Sequence, residues 1–212
     1  MALPINQIIQ GDCLEVMKTF PDKSIDLVLT DPPYGVSVDY DIFNDSADNI
    51  LDLIKKALPE MLRIGKRVAI FSGVHNIHLY DKPDWIMAWT WNTTGSFGKY
   101  GFNQWQPILL YGDDIKSFGS VNGQIKSDRL DFSGMGSAGY TKNEHPCPKP
   151  ERVMEKAIMR LSNENDIVFD PFMGSGSTLV AAKKLGRNFI GIEISPEYCK
   201  IAEDRLRQEV LF

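Results

Sequence analysis

The chain is poor in cysteine and histidine and has no long apolar run. Its 212 residues include three histidines and three cysteines, and Cys13, Cys147 and Cys199 form neither a disulfide framework nor a zinc-spaced set. His75 and His78 lie close together without a third ligand nearby in sequence, so we expect no metal site. No apolar run approaches the roughly 20 residues that are needed to cross a bilayer, so we expect no membrane partner.

The first residues and the overall charge restrict the location and the partners. The opening segment 1–6 lacks the charged and apolar regions of a secretory signal, and we expect a cytoplasmic protein whose thiols stay reduced. The formal net charge is −5, whereas phosphate contacts usually need a basic surface. Because an acidic total can coexist with a local basic stripe, a nucleic-acid partner is not excluded, but the isolated chain should bind it weakly and in a salt-sensitive way.

Short apolar runs alternate with helical stretches along the chain, which predicts an α/β fold with a doubly wound, mostly parallel sheet. The predicted strands are 5–9, 25–30, 67–72, 85–91, 107–111, 166–170 and 188–193. The predicted helices are 12–19, 46–63, 150–161, 177–185 and 196–209. A chain of 212 residues can bury one good core, so we predict a single domain over residues 1–212.

The tetrapeptide Asp31-Pro32-Pro33-Tyr34 directly follows the predicted strand 25–30. Its chemistry suits a planar exocyclic amine, which is a poor nucleophile because its lone pair is delocalised into a ring. The Asp31 carboxylate and the Pro32 carbonyl can accept the two N–H bonds, while the Tyr34 ring can stack on the base. Proline restricts φ and favours an extended residue before it, so these acceptors are held in place in advance.

A glycine-containing segment lies between the predicted strand 166–170 and the predicted helix 177–185. Its sequence is Asp170-Pro171-Phe172-Met173-Gly174-Ser175-Gly176-Ser177-Thr178. Glycines at such a turn let a ligand approach the backbone, and the helix N-terminus supplies N–H groups. The next apolar run ends in Glu193, where nucleoside-binding folds place a carboxylate for the ribose hydroxyls. Alone, the segment is equally typical of a tight strand–helix turn.

Together, the two segments resemble the amino-methyltransferases of DNA, which transfer a methyl group from S-adenosylmethionine to adenine N6 or cytosine N4. The catalytic tetrapeptide, the cofactor segment 172–178 and the adjoining run 191–198 match the motifs of that family. Residues 9–14 resemble the segment at the adenine end of the cofactor, and residues 145–150 resemble the segment that precedes the cofactor motif. The catalytic motif comes first, which is the order of the beta group.

The resemblance implies the Rossmann-like class I methyltransferase fold and assigns roles by position. The expected catalytic residues are Asp31, Pro32, Pro33 and Tyr34. The expected cofactor is S-adenosylmethionine, without a metal. The residues expected to bind the cofactor are Asp12, Cys13, Lys149, Asp170, Phe172, Gly174, Ser175, Gly176, Ser177, Thr178, Glu193 and Ile194.

Several of these residues also have ordinary structural explanations. Asp12 is equally suited to cap the helix predicted at 12–19. Asp170 can shape the glycine turn through backbone hydrogen bonds, and Glu193 can cap the helix that follows it. Lysines near loops, such as Lys149, are usually only solvated.

Two aromatic segments have alternative explanations. Trp85, Met87, Trp89 and Trp91 alternate in one run, which predicts one face of a buried strand, with base stacking as the alternative. Residues 93–145 hold nine of the seventeen glycines and interleave aromatic residues with balanced charges. Because the family places its target-recognition insert here, we expect a short recognition insert at about 93–145 that contains the core strand 107–111. A partner protein, or the homodimer that beta-group members often form, could then complete recognition.

The implied function is methylation of adenine N6 in double-stranded DNA, by direct transfer to a flipped-out base. Asp-Pro-Pro-Tyr is the usual adenine form in the family, whereas cytosine enzymes more often begin with serine. The alternatives are an N4-cytosine enzyme, methylation of an RNA base or a protein amide, and a cofactor-binding subunit that needs a partner. A restriction–modification enzyme and a solitary methyltransferase would share these sequence features.

Overall fold

A computed structural model of the chain describes residues 3–35, 39–40, 43–44, 46–91, 97–98, 101–112, 127–131 and 149–208. The strands of its main sheet are β1 (Gln7–Gln10), β2 (Ile25–Thr30), β5 (Gly65–Phe71), β6 (Trp85–Thr90), β9 (Trp105–Gly112), β10 (Arg129–Asp131), β11 (Ile167–Asp170) and β12 (Asn188–Glu193). Two short hairpins pair β3 (Asp39–Tyr40) with β4 (Phe43–Asn44) and β7 (Phe97–Gly98) with β8 (Gly101–Phe102).

The main sheet has eight strands in the order β1-β12-β11-β2-β5-β9-β6-β10. Only β9 runs antiparallel to its two neighbours within this sheet, and every other adjacent pair is parallel. The predicted α/β class and the mostly parallel sheet are therefore confirmed. The sheet has one strand more than predicted, because the three-residue β10 adds to the edge beside β6.

In the described part of the chain, five α-helices cover the sheet: α1 (Cys13–Met17), α2 (Ala47–Ile64), α3 (Glu151–Leu161), α4 (Ser177–Lys184) and α5 (Pro196–Gln208). Side chains of α1 and α2 share one core cluster with Val28, Val68 and Ile190 of the sheet. Side chains of α3, α4 and α5 share the other cluster with Leu27 and Phe71. Helices therefore bury both faces of the sheet, as in a doubly wound fold.

The two longest helices among the described residues, α2 and α5, form for reasons that are visible in the sequence. Ser46 caps α2, since its Oγ accepts a hydrogen bond from the Asn49 backbone N–H at 3.4 Å. The buried residues of α2 recur at helical spacing and form one apolar stripe: Ile50, Ile54, Ala57, Leu58, Met61 and Ile64. The helix α5 begins at Pro196, whose fixed φ suits a first helical position.

Two element boundaries differ from the predictions for local reasons. The strand predicted at 5–9 begins at Gln7, because Asn6 adopts a left-handed conformation with φ of 59°. The helix predicted at 12–19 ends at Met17. The chain then passes through a turn to Pro21, and a residue before proline disfavours helical geometry.

The alternating tryptophans of β6 do not all face the core. Met87 is buried and Trp89 is partly buried against the core cluster, as predicted. Trp85 is 61% exposed, so the prediction of a uniformly buried face is wrong at this end of the strand. The reason is that β10 pairs with β6 only at 88–90, which leaves the first residues of β6 at the edge of the described sheet.

The segment predicted as a recognition insert contributes to the main sheet. Its predicted core strand, 107–111, is confirmed as the longer β9, and β10 also lies within it. The remaining residues of 93–145 lie outside the described residues except for 97–98, 101–104 and 127–128. The recognition role therefore stays a prediction.

None of the helices in the described part of the chain is both long enough and apolar enough to cross a membrane. Within the same residues, no group of three or more histidine, cysteine, aspartate and glutamate side chains is arranged to hold a metal ion. Cys13 and Cys199 are both buried free thiols.

Gly65 provides a test of the packing between α2 and the sheet. A Cβ atom at Gly65 would lie 2.8 Å from Val28 Cγ2 and 2.9 Å from the Met61 carbonyl oxygen. We expect Gly65→Ala to lower the free energy of unfolding by about 1–3 kcal/mol, because neither neighbour can easily move. Urea denaturation measures this change.

Gly11→Ala is the matched control for that experiment. A Cβ at Gly11 would meet only Val16 Cγ2, at an ordinary 3.6 Å. This variant should lose clearly less stability than Gly65→Ala. Equal midpoints for the two variants would contradict the proposed steric conflict.

Candidate active site

The carboxyl ends of three parallel strands place the predicted acidic residues on one edge of the sheet. Asp31 follows β2, Asp170 ends β11 and Glu193 ends β12. These strands are consecutive in the sheet order, so residues more than 100 positions apart in sequence become neighbours. Asp12 also joins this edge, because it follows β1, which pairs with β12.

The Asp31 carboxylate is held by two side chains. Tyr34 donates its hydroxyl hydrogen to Asp31 Oδ1, and Lys149 Nζ donates to Asp31 Oδ2 at 2.7 Å. The Lys149 side chain is only 8% exposed, so its ion pair with Asp31 is largely shielded from water. Each carboxylate oxygen can accept two hydrogen bonds, so Asp31 keeps acceptor capacity for a substrate.

The Tyr34 hydroxyl is the centre of a wider hydrogen-bond network. It accepts hydrogen bonds from Lys149 Nζ at 3.0 Å and from the Gln106 side-chain amide. Burial raises the pKa of Tyr34 well above its usual value, and the negative charge of Asp31 raises it further. Tyr34 therefore remains a neutral hydroxyl that donates to Asp31.

Gln106 and Asn76 are site residues that the sequence analysis missed. Gln106 is buried at the start of β9, and Asn76 Nδ2 donates to the Tyr34 carbonyl oxygen at 2.7 Å. Gln106 thus binds the side-chain hydroxyl of Tyr34, and Asn76 binds its backbone carbonyl. Neither residue belongs to a recognisable motif. Gln106 reaches Tyr34 because β9 runs antiparallel beside β5, a pairing that the sequence does not show.

Lys149 lies at the Asp31 carboxylate. Its Nζ is 5.1 Å from the centre of the Tyr34 ring, 5.7 Å from that of Phe71 and 5.9 Å from that of Trp89. The aromatic rings thus surround a cation that also has a carboxylate partner. Trp89 reaches the site through this contact. The neighbouring residues 145–148 lie outside the described residues.

The glycine turn leads from β11 into the N-terminus of α4. Gly174 and Gly176 have φ of 52° and 84°, a conformation that glycine adopts without steric cost. Gly176 also packs tightly, since a Cβ there would lie 2.8 Å from the Ala202 Cβ. The turn therefore takes the chain from the carboxyl end of β11 directly into the N-terminus of α4.

The hydroxyl groups of the turn contact the protein itself. Ser175, Ser177 and Thr178 are all buried. Arg205 of α5 donates to the Ser175 carbonyl oxygen at 2.6 Å and also contacts the Ser175 and Ser177 hydroxyls. Arg205 is paired with Glu151 of α3 as well. The sequence analysis did not identify this arginine, which secures the turn from outside.

Asp170 is a fully buried carboxylate with three hydrogen-bond donors. Its Oδ1 accepts from the Thr30 hydroxyl at 2.7 Å and from the Phe172 backbone N–H at 3.0 Å. Its Oδ2 accepts from the Thr178 hydroxyl at 2.6 Å. Burial raises the pKa of Asp170 to about 6, although these donors act in the opposite direction. The residue shapes the turn, as its ordinary structural explanation predicted.

Glu193 faces the glycine turn from β12. Its two carboxylate oxygens accept from the Gly174 and Ser195 backbone N–H groups, at 3.0 and 2.9 Å. Burial raises the pKa of Glu193 above its usual value. Ile194, directly after it, is 48% exposed, which is unusual for a large apolar side chain at this edge. An exposed apolar side chain beside a carboxylate suits a nucleoside, whose base is flat and apolar and whose ribose carries hydroxyl groups.

Asp12 and Cys13 have clear structural roles. Asp12 Oδ1 accepts from the Leu14 backbone N–H at 2.8 Å, which makes Asp12 the N-cap of α1. Cys13 is buried, and its burial raises the pKa of the thiol to about 12. Phe172 is partly buried against the core. Their cofactor contacts stay predictions, since capping and packing do not require a ligand.

Comparison with known proteins shows which family shares this arrangement. The N6/N4 methyltransferase family model, described as DNA methylase, matches residues 76–204. The Type II methyltransferase M.HinfI of Haemophilus influenzae is 32% identical, over 96% of this chain and 69% of its own length. The DNA adenine methyltransferase YhdJ of Escherichia coli is 30% identical, over 94% of this chain and 82% of its own length.

The fold is also similar to solved structures. The crystal structure of an M1.HpyAVI–SAM complex superposes with a TM-score of 0.69 and 28% sequence identity. The similarity covers 94% of this chain and 98% of that chain. The resemblance in the motifs is thus matched by similarity over nearly the whole chain.

The raised pKa of Asp170 predicts the sign of a pH effect on stability. The folded protein binds a proton at Asp170 more tightly than the unfolded chain does, with a folded pKa of about 6 against an ordinary 3.8. This carboxyl therefore stabilises the fold at low pH, and that contribution is lost as the pH rises through about 6. Asp170→Asn cannot ionise, so its stability relative to the parent should increase from about pH 4 to pH 7.

Urea denaturation of both proteins across that pH range tests the effect. A constant offset between them reports only the altered hydrogen bonds to Thr30 and Thr178. Any change with pH in the difference between their free energies of unfolding reports the titration of Asp170 in the parent. A difference that does not vary with pH would contradict the raised pKa.

Proposed function

Because the chain belongs to the N6/N4 DNA methylase family, we propose that it transfers a methyl group from S-adenosylmethionine to N6 of adenine in double-stranded DNA. The observation that carries this proposal is the Asp31 carboxylate, which lies beside the glycine turn and retains unused acceptor capacity. An aromatic ring, Tyr34, is fixed next to it. Carboxylate and ring together suit a base that carries an amine.

The residues at the edge of the sheet fit S-adenosylmethionine. Glu193 is positioned to accept hydrogen bonds from the ribose hydroxyls, beside the exposed apolar side chain of Ile194. The turn 172–178 brings backbone N–H groups to the amino-acid end of such a ligand. When bound, the cofactor supplies a methyl group on a positively charged sulfur. The buried acid Asp170 and the half-buried Glu193 favour that positive charge.

Adenine in DNA is the preferred substrate for two reasons. The tetrapeptide has the form that is usual for adenine enzymes, and YhdJ, which covers most of this chain, is named as a DNA adenine methyltransferase. A base in a duplex cannot reach a site enclosed by Asp31, Tyr34 and Gln106. The proposed reaction therefore requires a flipped-out base.

In the proposed reaction the chain's own residues orient and activate the amine. Asp31 and the Pro32 carbonyl accept its two N–H bonds and draw the nitrogen from planar towards tetrahedral geometry. The Tyr34 ring stacks on the base, and its hydroxyl stays bound to Asp31 and Gln106. As the new N–C bond forms, the bond between the methyl group and the cofactor's sulfur would break and leave its electron pair on the sulfur. The amine then loses one proton, which Asp31 can pass on to water. No nucleophilic side chain of the protein is needed.

Lys149 has a defined place in this scheme. Its ammonium group neutralises part of the charge of Asp31 and fixes the carboxylate orientation. From the same position, between the catalytic residues and the start of α3, it is also a candidate ligand for the carboxylate of the cofactor. Both roles place one buried cation where the two substrates would meet.

The proposal also includes a cellular location and a state of association. Reduced buried thiols suit a cytoplasmic enzyme. The net charge of −5 suits weak, salt-sensitive binding of DNA by the isolated chain, which a homodimer or a partner protein would strengthen. A role in restriction–modification belongs to the same proposal, since M.HinfI is a Type II methyltransferase.

Substitution of Asp31 tests the proposal. Asp31→Ala removes the carboxylate that orients the amine, so we expect DNA methylation to fall at least about 100-fold. Cofactor binding, measured by calorimetry, should be largely retained. The assay is transfer of labelled methyl from S-adenosylmethionine to unmethylated genomic DNA, with mass analysis of the digested nucleosides.

Asp22→Ala is the matched control, because Asp22 is an exposed, ion-paired aspartate just before the same strand, at the opposite end from Asp31. This variant should retain methylation. If N4-methylcytosine were the only methylated nucleoside, the target base would be cytosine and the proposed adenine specificity would be wrong. Full methylation by Asp31→Ala would exclude the proposed catalytic role, and cofactor binding without any methylation of DNA by the parent would favour another substrate or a missing partner.

A further inference from the structure

The described pairing between the strands that carry the two motifs stops short of their carboxyl ends, which leaves an unpaired gap between them. β11 and β2 are paired at Val168 with Leu27 and at Phe169 with Val28, and their described pairing ends there. On the outer sides the pairing continues, from Asp170 to Gly191 of β12 and from Thr30 to Ile70 of β5. The gap between β11 and β2 is also where the direction of strand order reverses, the usual place for a ligand in such folds.

One side-chain hydrogen bond crosses this gap. The Thr30 hydroxyl donates to Asp170 Oδ1 at 2.7 Å, and both residues are buried. Thr30 directly precedes Asp31, whereas Asp170 directly precedes the glycine turn. The bond thus connects the last residue of the catalytic strand to the last residue of the cofactor strand, at the base of the crevice.

On the Asp170 side, this hydrogen bond is fixed by further contacts. Asp170 accepts two further hydrogen bonds, from the Phe172 backbone N–H at 3.0 Å and from the Thr178 hydroxyl at 2.6 Å. These contacts bind Asp170 to both the start of the turn and the first turn of α4. A displacement of Thr30 relative to Asp170 would therefore change the distance between Asp31 and the whole cofactor turn.

We propose that Thr30 is a positioning residue, whose hydroxyl sets the separation between the catalytic carboxylate and the cofactor turn. This inference rests on the proposed function, since methyl transfer needs the donor and the amine in line and in contact. Displacements of about 1 Å at a reacting centre can lower a rate by about 100-fold. Thr30 touches neither reactant and acts only through Asp31 and Asp170.

The variants Thr30→Val and Thr30→Ser test this role. Valine keeps the shape of threonine but removes the hydroxyl, whereas serine keeps the hydroxyl. In single-turnover methylation with saturating cofactor and DNA, Thr30→Val should lower the rate about 10- to 100-fold. Cofactor affinity by calorimetry should change little, because the turn keeps its contacts with Asp170. Thr30→Ser should restore most of the rate.

Ser72→Ala is the matched control. Ser72 is a buried residue just beyond β5, the strand next to β2. Among the described contacts, its hydroxyl donates only to the neighbouring Gly73 carbonyl oxygen at 3.2 Å. This variant should keep the parent rate. If Ser72→Ala and Thr30→Val lowered the rate equally, a general loss of packing would replace the proposed positioning.

A structural measurement separates this inference from the proposed function. Crystal structures of the parent and of Thr30→Val should show the carboxyl ends of β2 and β11 further apart in the variant, whatever the substrate. An unchanged separation would overturn the inference even if the parent methylates no DNA. An active parent with an unaffected Thr30→Val rate would overturn it as well, and would leave the proposed function intact.

Discussion

The arrangement of residues at the carboxyl ends of the central strands depends on the buried carboxylate of Asp170. Transfer of a carboxylate from water into a protein interior is costly unless hydrogen bonds compensate for the lost hydration. Asp170 receives three, from a strand, a turn and a helix, so its compensation requires all three segments to meet at one point. The raised pKa shows that this compensation is incomplete.

The acidic edge also explains how an acidic protein can serve the proposed reaction. Asp12, Asp31, Asp170 and Glu193 all lie at the carboxyl ends of neighbouring strands. Such an edge attracts a sulfonium ion, and it attracts the product less strongly because the sulfur becomes neutral after transfer. The same charge disfavours DNA phosphates, so the proposed reaction requires residues away from these strand ends to hold the duplex. Lys149 moderates the charge at the point where the base would enter.

Different parts of the site were accessible to sequence analysis to different degrees. Asp31, Glu193 and the glycine turn were identifiable because short-range chemistry constrains them: prolines, glycines and a terminal acid at fixed positions relative to strands. Gln106, Asn76, Arg205 and Thr30 were not, although each makes a specific contact at the site. Their contacts join segments that are far apart in sequence, and a polar side chain in a strand or helix carries no local sign of its partner.

The order of apolar runs, prolines and glycines was sufficient to predict an α/β class and the approximate strand and helix positions, whereas the family was indicated by the resemblance of whole motifs such as 31–34 and 172–178. These features depend on local backbone preference and on the periodicity of buried residues. Tertiary structure decided the rest: the antiparallel β9 that brings Gln106 to Tyr34, the exposure of Trp85, and the placement of Lys149 on Asp31. The physical reason is that strand order and the pairing of buried charges depend on contacts between segments far apart in sequence, and these contacts form only when the chain folds.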